Sequence, residues 1–503
     1  MPMDLTLLRS LAAGNRWGAI WPELSLGCLA LALLVLETVL PKAAHRRIPL
    51  VSLAGQVAIL AVLAANFGTP YRAAFNGLLM ISPAGQLMRV FFLVSSILVS
   101  LMAARSLSLE RAPKVEFHHV VLVVAAAMML LVESRNFVML FVALETVTVG
   151  LYVLVSYCRS NPATLEAGLK YLIMGALSSA LLLFGIVLLY GVAGSAGLAG
   201  RTAEAMQYGG MAGFLEANPG NFLAAAGIAL VLSGVAFKIG AFPFQIWIPD
   251  VYQGAPTPVT ALLAVASKGA GFVVLLVLAT EVFPPYAWLV EPVLVFMAAA
   301  TILFGNLAAL KQNNVKRLIG LSGVSHAGFI LLAVVSAARA PTSVGAVYFY
   351  LYAYLFASFA VFGVMAVLSG PDDTRQELGD YAGLARESPF LAGVLACGLG
   401  SLAGIPPFAG FTAKLLVFVA AFRARHYGLL AVAIAGVVIS IYYYFGWIRA
   451  AYFSDGGALA PKGAERVRAG AGLALGVGLA ALTAASVVLG FNPGPLWSLV
   501  SGH

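Results

Sequence analysis

The chain has 503 residues, of which 61% are hydrophobic and only 10% are charged, whereas soluble domains carry about 25% charged residues. Its net charge of +9 is spread along the sequence without a long block rich in Lys and Arg, which excludes the footprint of a nucleic-acid-binding protein. The composition therefore indicates a polytopic membrane protein, whose first partner is the lipid bilayer.

Long apolar runs recur along the whole chain, and a helix needs about 20 such residues to cross a bilayer. They predict an all-α polytopic membrane protein with about 14 transmembrane helices. The predicted spans are 17–40, 48–65, 87–104, 117–133, 136–157, 164–190, 222–248, 258–280, 288–310, 318–337, 343–369, 389–421, 428–448 and 470–490. Between the sixth and seventh spans, a Gly- and Ala-rich stretch predicts an exposed loop with a short helix at 203–215.

The basic residues of the loops predict how the chain is oriented in the membrane. The seven odd-numbered loops hold sixteen Lys and Arg, the termini and even-numbered loops hold nine, and four lysines lie inside spans. Basic residues concentrate on the cytoplasmic side. Both termini are therefore predicted on the opposite, outer side.

The seventh and twelfth predicted spans contain residues that interrupt helices, because proline removes a backbone donor and clashes with the preceding turn. The breaking residues are Gly240 and Pro243 in the seventh span and Gly404, Pro406 and Pro407 in the twelfth. Both spans are predicted to be discontinuous helices. The alternative is that these residues only reflect the frequency of Pro and Gly in membrane helices.

The two breaks are five spans apart, and an odd separation reverses direction across the membrane, which is typical of inverted-topology repeats. The chain is therefore predicted to contain two inverted five-helix repeats, each with one discontinuous helix. We expect an N-terminal three-helix addition (1–116), a first repeat with spans 4–8 (117–280), a second repeat with spans 9–13 (281–453), and a C-terminal loop with span 14 (454–503).

Five ionisable residues lie inside the apolar spans: Glu145, Lys170, Lys238, Lys268 and Lys414. An ionisable side chain in the hydrocarbon core costs at least ~2.5–3.5 kcal/mol, and such residues usually mark an ion or proton path. Glu145 and Lys238 are predicted to stabilise each other's charge and to act as a gate. Lys268 is predicted to be the central proton carrier and Lys414 the carrier on the outlet side.

Some candidates have a second interpretation. Lys170, in the first two turns of the sixth span, either joins the path or extends its ammonium group to the membrane interface. His326 lies between Lys268 and Lys414 along the chain and is either a proton relay or a hydrogen-bonded core residue. A run of tyrosines either holds ordered water between the sites or belongs to an interfacial belt; it comprises Tyr348, Tyr350, Tyr352 and Tyr354.

The sequence shows no pattern for binding a cofactor. Cys28, Cys158 and Cys397 lie far apart, in or beside apolar segments, and lack the spacing of a metal site. Nothing resembles a nucleotide site, haem ligation or an iron–sulfur cysteine set. We therefore expect no metal and no cofactor in this chain.

The segment 237–260, FKIGAFPFQIWIPDVYQGAPTPVT, closely resembles the antiporter-like subunits of respiratory complex I, the NADH:quinone oxidoreductase of bacteria. Three further segments match the same family: LEAGLKY at 165–171, NVKRLIGLSGVSHAG at 314–328 and GIPPFAGFTAK at 404–414. The resemblance covers spans 4 to 13. Lysine at position 414 favours the subunit type that carries lysine, rather than glutamate, in this span.

The resemblance implies a proton-pumping module of a translocating oxidoreductase, in a bacterial cytoplasmic membrane with its termini on the periplasmic side. It implies proton-path roles for Glu145, Lys238, Lys268 and Lys414, and also for Lys170 and His326. Quinone would bind elsewhere in the complex, partner subunits would carry FMN and iron–sulfur clusters, and the direct neighbours would be another antiporter-like subunit and small membrane subunits. Cation/proton antiporters and membrane-bound hydrogenases share the fold and are the alternative.

Two residues depart from the family pattern. Gln245 stands where the family usually has histidine, and Gln253 stands where it usually has glutamate. Both flank the implied path, so its details on the cytoplasmic side differ in this chain while the buried carriers are intact.

Overall fold

A computed structural model describes residues 14–41, 47–68, 72–106, 114–196, 202–369, 373–453 and 472–501, together with residues 12 and 45. These residues are mostly helical. One small antiparallel hairpin, β1 (Arg72–Ala74) and β2 (Leu79–Ile81), pairs Ala73 with Met80 between the second and third helices. The predicted C-terminal loop falls on 454–471, which lie outside the described residues.

The α-helices follow the apolar runs of the sequence. In chain order they are α1 (Trp21–Val39), α2 (Ile48–Ala65), α3 (Pro83–Ser106), α4 (Lys114–Glu133), α5 (Phe137–Val155), α6 (Pro162–Ala196), α7 (Thr202–Met206), α8 (Tyr208–Ala217), α9 (Phe222–Ile239), α10 (Ile248–Gly254), α11 (Thr257–Ala261), α12 (Lys268–Val277), α13 (Ala287–Ala309), α14 (Val315–Ala337), α15 (Ser343–Ser369), α16 (Leu384–Glu387), α17 (Pro389–Ala403), α18 (Ala409–Arg423), α19 (Tyr427–Phe453), α20 (Leu473–Phe491) and α21 (Gly494–Ser501).

Thirteen helices of the described part are long and apolar enough to cross a membrane. The predicted twelfth span is instead the pair α17 and α18, so that counting this pair as one further span gives the fourteen that the sequence predicts. The helix predicted at 203–215 forms as α7 and α8. The all-α membrane fold with two discontinuous helices is confirmed.

The two helix breaks have the same local geometry. α9 ends at Gly240 with φ of 71°, and α17 ends at Gly404 with φ of 85°, a left-handed conformation that glycine adopts without a steric penalty. The next amide turns back to the helix in both cases: Ala241 N donates to Ala236 O (2.9 Å) and Ile405 N donates to Gly400 O (3.0 Å).

The segments that follow the two glycines are irregular and contain the predicted prolines. Phe242–Pro243 and Pro406–Pro407 are cis peptide bonds. The chain then resumes as helix, at α10 in the first case and at α18 in the second. α9 has 18 residues before its break and α17 has 15, so the first break lies nearer to the end of a membrane-length helix than the second does.

The helices divide into an inner and an outer set. The Thr257–Val282 segment and α14 are buried along their whole apolar windows, and α15 is nearly so. In contrast, no more than a third of the apolar window is buried in α1, α2, α6, α13, α19 and α20. A helix that is apolar on all sides belongs in the interior of a large or membrane-embedded protein. The inner set carries Lys268 and His326, which are therefore shielded from lipid by the outer helices.

Candidate functional site

Lys238 lies in the last turn of α9, two residues before the glycine that ends the helix. Its side chain is buried, and its Nζ donates a hydrogen bond to Thr148 Oγ1 of α5 at 3.0 Å. A Cβ on Gly271 of α12 would lie 3.5 Å from the Cγ of Lys238, so the lysine stem packs directly against the helix that carries Lys268.

Glu145 lies three residues before Thr148 on α5 and hence on the same side of that helix. Its carboxylate accepts a hydrogen bond of 2.5 Å from Ser179 Oγ of α6. Glu145 and Lys238 form no salt bridge, although they are close enough to interact electrostatically. Glu145 is also only partly buried within this chain, in contrast to the buried carboxylate expected from the sequence.

Lys268 lies where a π-helical segment, Leu262–Ser267, passes into α12. Its side chain lies between the first helix break and α14. A Cβ on Gly240 at the break would lie 3.6 Å from the Cε of Lys268, and a Cβ on Gly323 of α14 would lie 3.2 Å from its Nζ. The residue is 3% exposed, and its Nζ has no hydrogen-bond partner among the described residues. The ring of Tyr252 has its centroid 5.8 Å from this Nζ.

His326 follows Gly323 by one turn of α14 and is held by two tyrosines. Its Nδ1 lies 2.7 Å from Tyr350 Oη of α15, and its Nε2 lies 3.0 Å from Tyr444 Oη of α19. Both Lys268 and Lys414 act electrostatically on the imidazole. The order along the chain is therefore also the order in space.

Lys414 lies in the second turn of α18 and is buried against the second break. Its Nζ donates hydrogen bonds to Leu402 O (2.8 Å) and Ala403 O (2.9 Å), two carbonyl groups at the end of α17. The ammonium group also lies 5.2 Å from the ring centroid of Phe329. The break thus provides the acceptors that hold this lysine.

Lys170 lies apart from this buried row. Its side chain is 43% exposed and pairs with Glu166 and with Asp250 of α10, both at 2.7 Å. Asp250 also accepts from Arg317 Nη1 at 2.7 Å. The hydrogen bond from Lys170, helped by that from Arg317, lowers the pKa of Asp250. The contacts of Lys170 are those of a surface ion network.

The two glutamines that depart from the family pattern have different surroundings. Gln253 Oε1 accepts a hydrogen bond from Arg317 (2.9 Å), and its main-chain oxygen accepts one from Gln376 (3.2 Å). Gln245 is buried beside the first break, and its Oε1 has no hydrogen-bond partner among the described residues. Gln253 therefore supplies an acceptor for Arg317 without adding a negative charge.

Several partners in the site were not predicted from the sequence. Thr148, Ser179 and Tyr444 carried no signal, because each is an uncharged polar residue in an apolar helix and its local sequence does not single it out. The four tyrosines of α15 are all buried, so the interfacial belt is wrong for them. Within the described residues, no group of three His, Cys, Asp or Glu could hold a metal ion.

Comparison with known proteins places this geometry in a family. Residues 134–440 match the family described as NADH:quinone oxidoreductase/Mrp antiporter, transmembrane. NADH-quinone oxidoreductase subunit N 1 of Opitutus terrae is 62% identical over 98% of this chain and 99% of its own length. NADH-quinone oxidoreductase subunit N of Paramagnetospirillum magneticum is 34% identical over 87% of this chain and 88% of its own length.

Solved structures agree with these matches. A chain of respiratory complex I from Thermus thermophilus superposes with a TM-score of 0.76 and 31% identity, covering 96% of this chain and all of that one. A chain of the Mrp complex from Dietzia sp. superposes with a TM-score of 0.80 but 22% identity, covering 96% of each chain, and so shows the fold alone.

The fold and the matched region define the class: this chain belongs to the antiporter-like transmembrane subunits of NADH:quinone oxidoreductase and Mrp antiporters. Within that family it belongs with subunit N of respiratory complex I, an antiporter-like, proton-pumping membrane subunit of an oxidoreductase complex. The thirteen apolar helices of its described residues make it a multi-pass membrane protein. The antiporter alternative fits less well.

Proposed function

We propose that protons travel through this chain along the membrane plane, by way of Lys238, Lys268, His326 and Lys414. All four side chains are buried. Lys238 packs on the helix of Lys268, Lys268 reaches Gly323 one turn from His326, and His326 interacts electrostatically with Lys414. The row connects the two broken helices. Transport proteins commonly place their ion path at discontinuous helices, and this also supports a proton path here.

The observation that carries this proposal is the position of Lys268. An ammonium group buried with neither an anion nor an acceptor is costly, and lysines in such positions serve as proton-exchanging groups. Lys268 is in this position between the first break and the helix of His326. The π-helical segment just before it supports a functional role, since π-bulges occur frequently at functional sites.

Between His326 and Lys414 the proton would pass through a small cavity that is lined by both polar and apolar residues. A cavity of about 10 Å³ lies between α14, α15 and the second break, and its lining includes His326, Tyr350, Tyr354 and Ser401. This volume is close to the minimum that holds one water molecule. A single water there would bridge the histidine to the break at which Lys414 is held.

Glu145 would act at the other end of the row as the gate to Lys238. It lies partly exposed on a face of α5 where Val142 and Val149 are also exposed. A carboxylate facing lipid is costly, so a neighbouring membrane subunit would cover this face. Glu145 would then contact the proton path of that neighbouring subunit. The family resemblance implies a path role for Lys170 as well. Its two carboxylate partners, however, support a role at the membrane surface.

The arrangement in the membrane follows from the same reasoning. We propose two inverted five-helix repeats, 117–280 and 281–453, preceded by the three-helix addition 1–116 and followed by 454–503. The matched turns at Gly240 and Gly404 support this division. Both termini would lie on the periplasmic side of a bacterial cytoplasmic membrane, with FMN, iron–sulfur clusters and the quinone in partner subunits.

Substitution of Lys268 by alanine tests the path. In proteoliposomes containing the whole complex, Lys268→Ala should abolish or sharply reduce proton pumping driven by quinone reduction, and should slow quinone reduction where the two are tightly coupled. Lys311→Ala is the matched control, because Lys311 is exposed in the loop after α13. An assembled Lys268→Ala complex that pumps like the Lys311→Ala complex would refute the proposal.

A further inference from the structure

A second buried charged cluster lies outside the row of lysines. It joins Glu23 of α1, Arg89 of α3 and Glu133, the last residue of α4. Arg89 Nε donates to Glu23 Oε1 at 2.7 Å, and Arg89 Nη2 lies 2.8 Å from Glu133 Oε2. The three side chains are 2%, 3% and 0% exposed for Arg89, Glu23 and Glu133 respectively.

One guanidinium group does not satisfy both carboxyl groups. Arg89 Nη2 also donates to the main-chain oxygen of Ala19 at 2.9 Å, and its contact with Glu133 is not aligned as a hydrogen bond. Glu23 Oε2 and both oxygens of Glu133 therefore have no hydrogen-bond donor among the described residues. Buried carboxyl oxygens without donors indicate a ligand that the side chains themselves do not supply, and the smallest such ligand is a proton.

The charges around the cluster do not balance either. Arg135 is the further cation that acts on Glu133, but it is held by Glu281 through contacts of 2.9 and 3.2 Å. Glu23, Glu133 and Glu281 thus provide three carboxyl groups, whereas Arg89 and Arg135 provide only two guanidinium groups. A buried carboxylate without a counter-charge carries a desolvation penalty that proteins avoid by neutralising the group.

We propose that Glu23, Arg89 and Glu133 form a proton-binding site, in which two carboxyl groups and one guanidinium group together hold a single proton. The site lies under the β-hairpin, because Ser134, the residue after Glu133, pairs with Leu79 of β2. The site is thus close to one membrane surface. Arg89 and Phe91 are two residues apart on α3 and therefore point to opposite sides of this helix, and Phe91 packs on Gly269 beside Lys268.

Infrared difference spectroscopy on the purified whole complex tests this site. The carbonyl band of a protonated carboxylic acid, recognised by its shift in D₂O, should be smaller by one group in Glu23→Gln and also in Glu133→Gln at neutral pH. Each variant leaves one carboxylate for one guanidinium, so no proton is needed. Glu291→Gln is the control and should leave that band unchanged, because Glu291 is a partly exposed carboxylate that pairs with Arg339 outside this cluster.

Assembly provides a second measurement. A neutral amide replaces a neutral acid at whichever position carries the proton, so at least one single variant should assemble like the native complex. The double variant Glu23→Gln/Glu133→Gln should assemble poorly, because Arg89 is then buried without a carboxylate. An unchanged band in both single variants, failure of both to assemble, or native assembly of the double variant would each overturn the proposal.

Discussion

The three lysines of the buried row, Lys238, Lys268 and Lys414, differ in what holds their ammonium groups. Lys238 has one hydroxyl acceptor, Lys414 has two carbonyl acceptors, and Lys268 has none among the described residues. A hydrogen bond to a charged group contributes about 1.5–3 kcal/mol. The central lysine is therefore the least firmly held cation of the row, which suits a group that receives a proton and passes it on.

Glu145 and Lys238 provide a test at the level of single residues. Turnover should be measured for Glu145→Ala, Lys238→Ala and the double variant in the whole complex. The two are coupled electrostatically, with Thr148 of the same helix turn as Glu145 holding the lysine, so we expect a non-additivity of roughly 0.5–3 kcal/mol in activation free energy.

Glu166 is the control for this cycle, because it is exposed and pairs with Lys170. Glu166→Ala combined with Lys238→Ala should be additive within about 0.3–0.5 kcal/mol. Equal additivity in the Glu145 cycle would show that the carboxylate does not act on Lys238.

At the scale of elements, the break between α17 and α18 both ends a helix and holds a proton carrier. Gly404 has a positive φ, and a Cβ added there would lie 2.7 Å from Lys414 Cδ. A non-glycine residue in this conformation costs roughly 1–2 kcal/mol. Gly404→Ala should therefore displace Lys414 from its two carbonyl acceptors and lower the number of protons pumped per quinone reduced in proteoliposomes.

Gly393→Ala is the matched control for this substitution. Gly393 lies in the same helix, and a Cβ added there meets nothing within 4 Å, so alanine should be tolerated or favoured by roughly 0.5–1 kcal/mol. Pumping by Gly404→Ala that equals pumping by Gly393→Ala would contradict a role of the break in holding Lys414.

The short helix α10 is anchored by ion pairs rather than by apolar packing alone. Asp250 of this helix joins Lys170 of α6 and Arg317 of α14, while Gln253 adds a neutral acceptor to Arg317. Partly exposed pairs of this kind contribute only about 0–1 kcal/mol each. Their role is therefore to fix where α10 lies against the two longer helices, next to the first break.

For the whole molecule, orientation in the membrane is the property that a labelling experiment can decide. In a variant without the native cysteines, Arg425→Cys should react with an impermeant maleimide in intact cells, because Arg425 lies in an even-numbered loop. Lys311→Cys should react only after the membrane is opened, because Lys311 lies in an odd-numbered loop. Both positions are exposed. The reverse pattern would place the termini in the cytoplasm.

The properties that depend on neighbouring residues could be predicted from the sequence. Hydropathy over about 20 residues is enough to find a span, so the helices from Trp21 to Phe491 follow the apolar runs closely. Glycine and proline restrict the backbone locally, and the breaks at Gly240 and Gly404 form where these residues predict them. The same local argument predicts that Lys238, Lys268 and Lys414 lie within membrane spans, since each lies in an apolar run.

Which of the ionisable residues are in contact depends on the tertiary structure and does not follow from local sequence. Lys170 and Lys268 both lie in apolar runs, yet the first faces two carboxylates at the surface and the second is enclosed without a partner. The tyrosine partners of His326 come from α15 and α19, 24 and 118 residues away. Such contacts depend on how distant helices pack against one another, and local hydropathy carries no information about that packing.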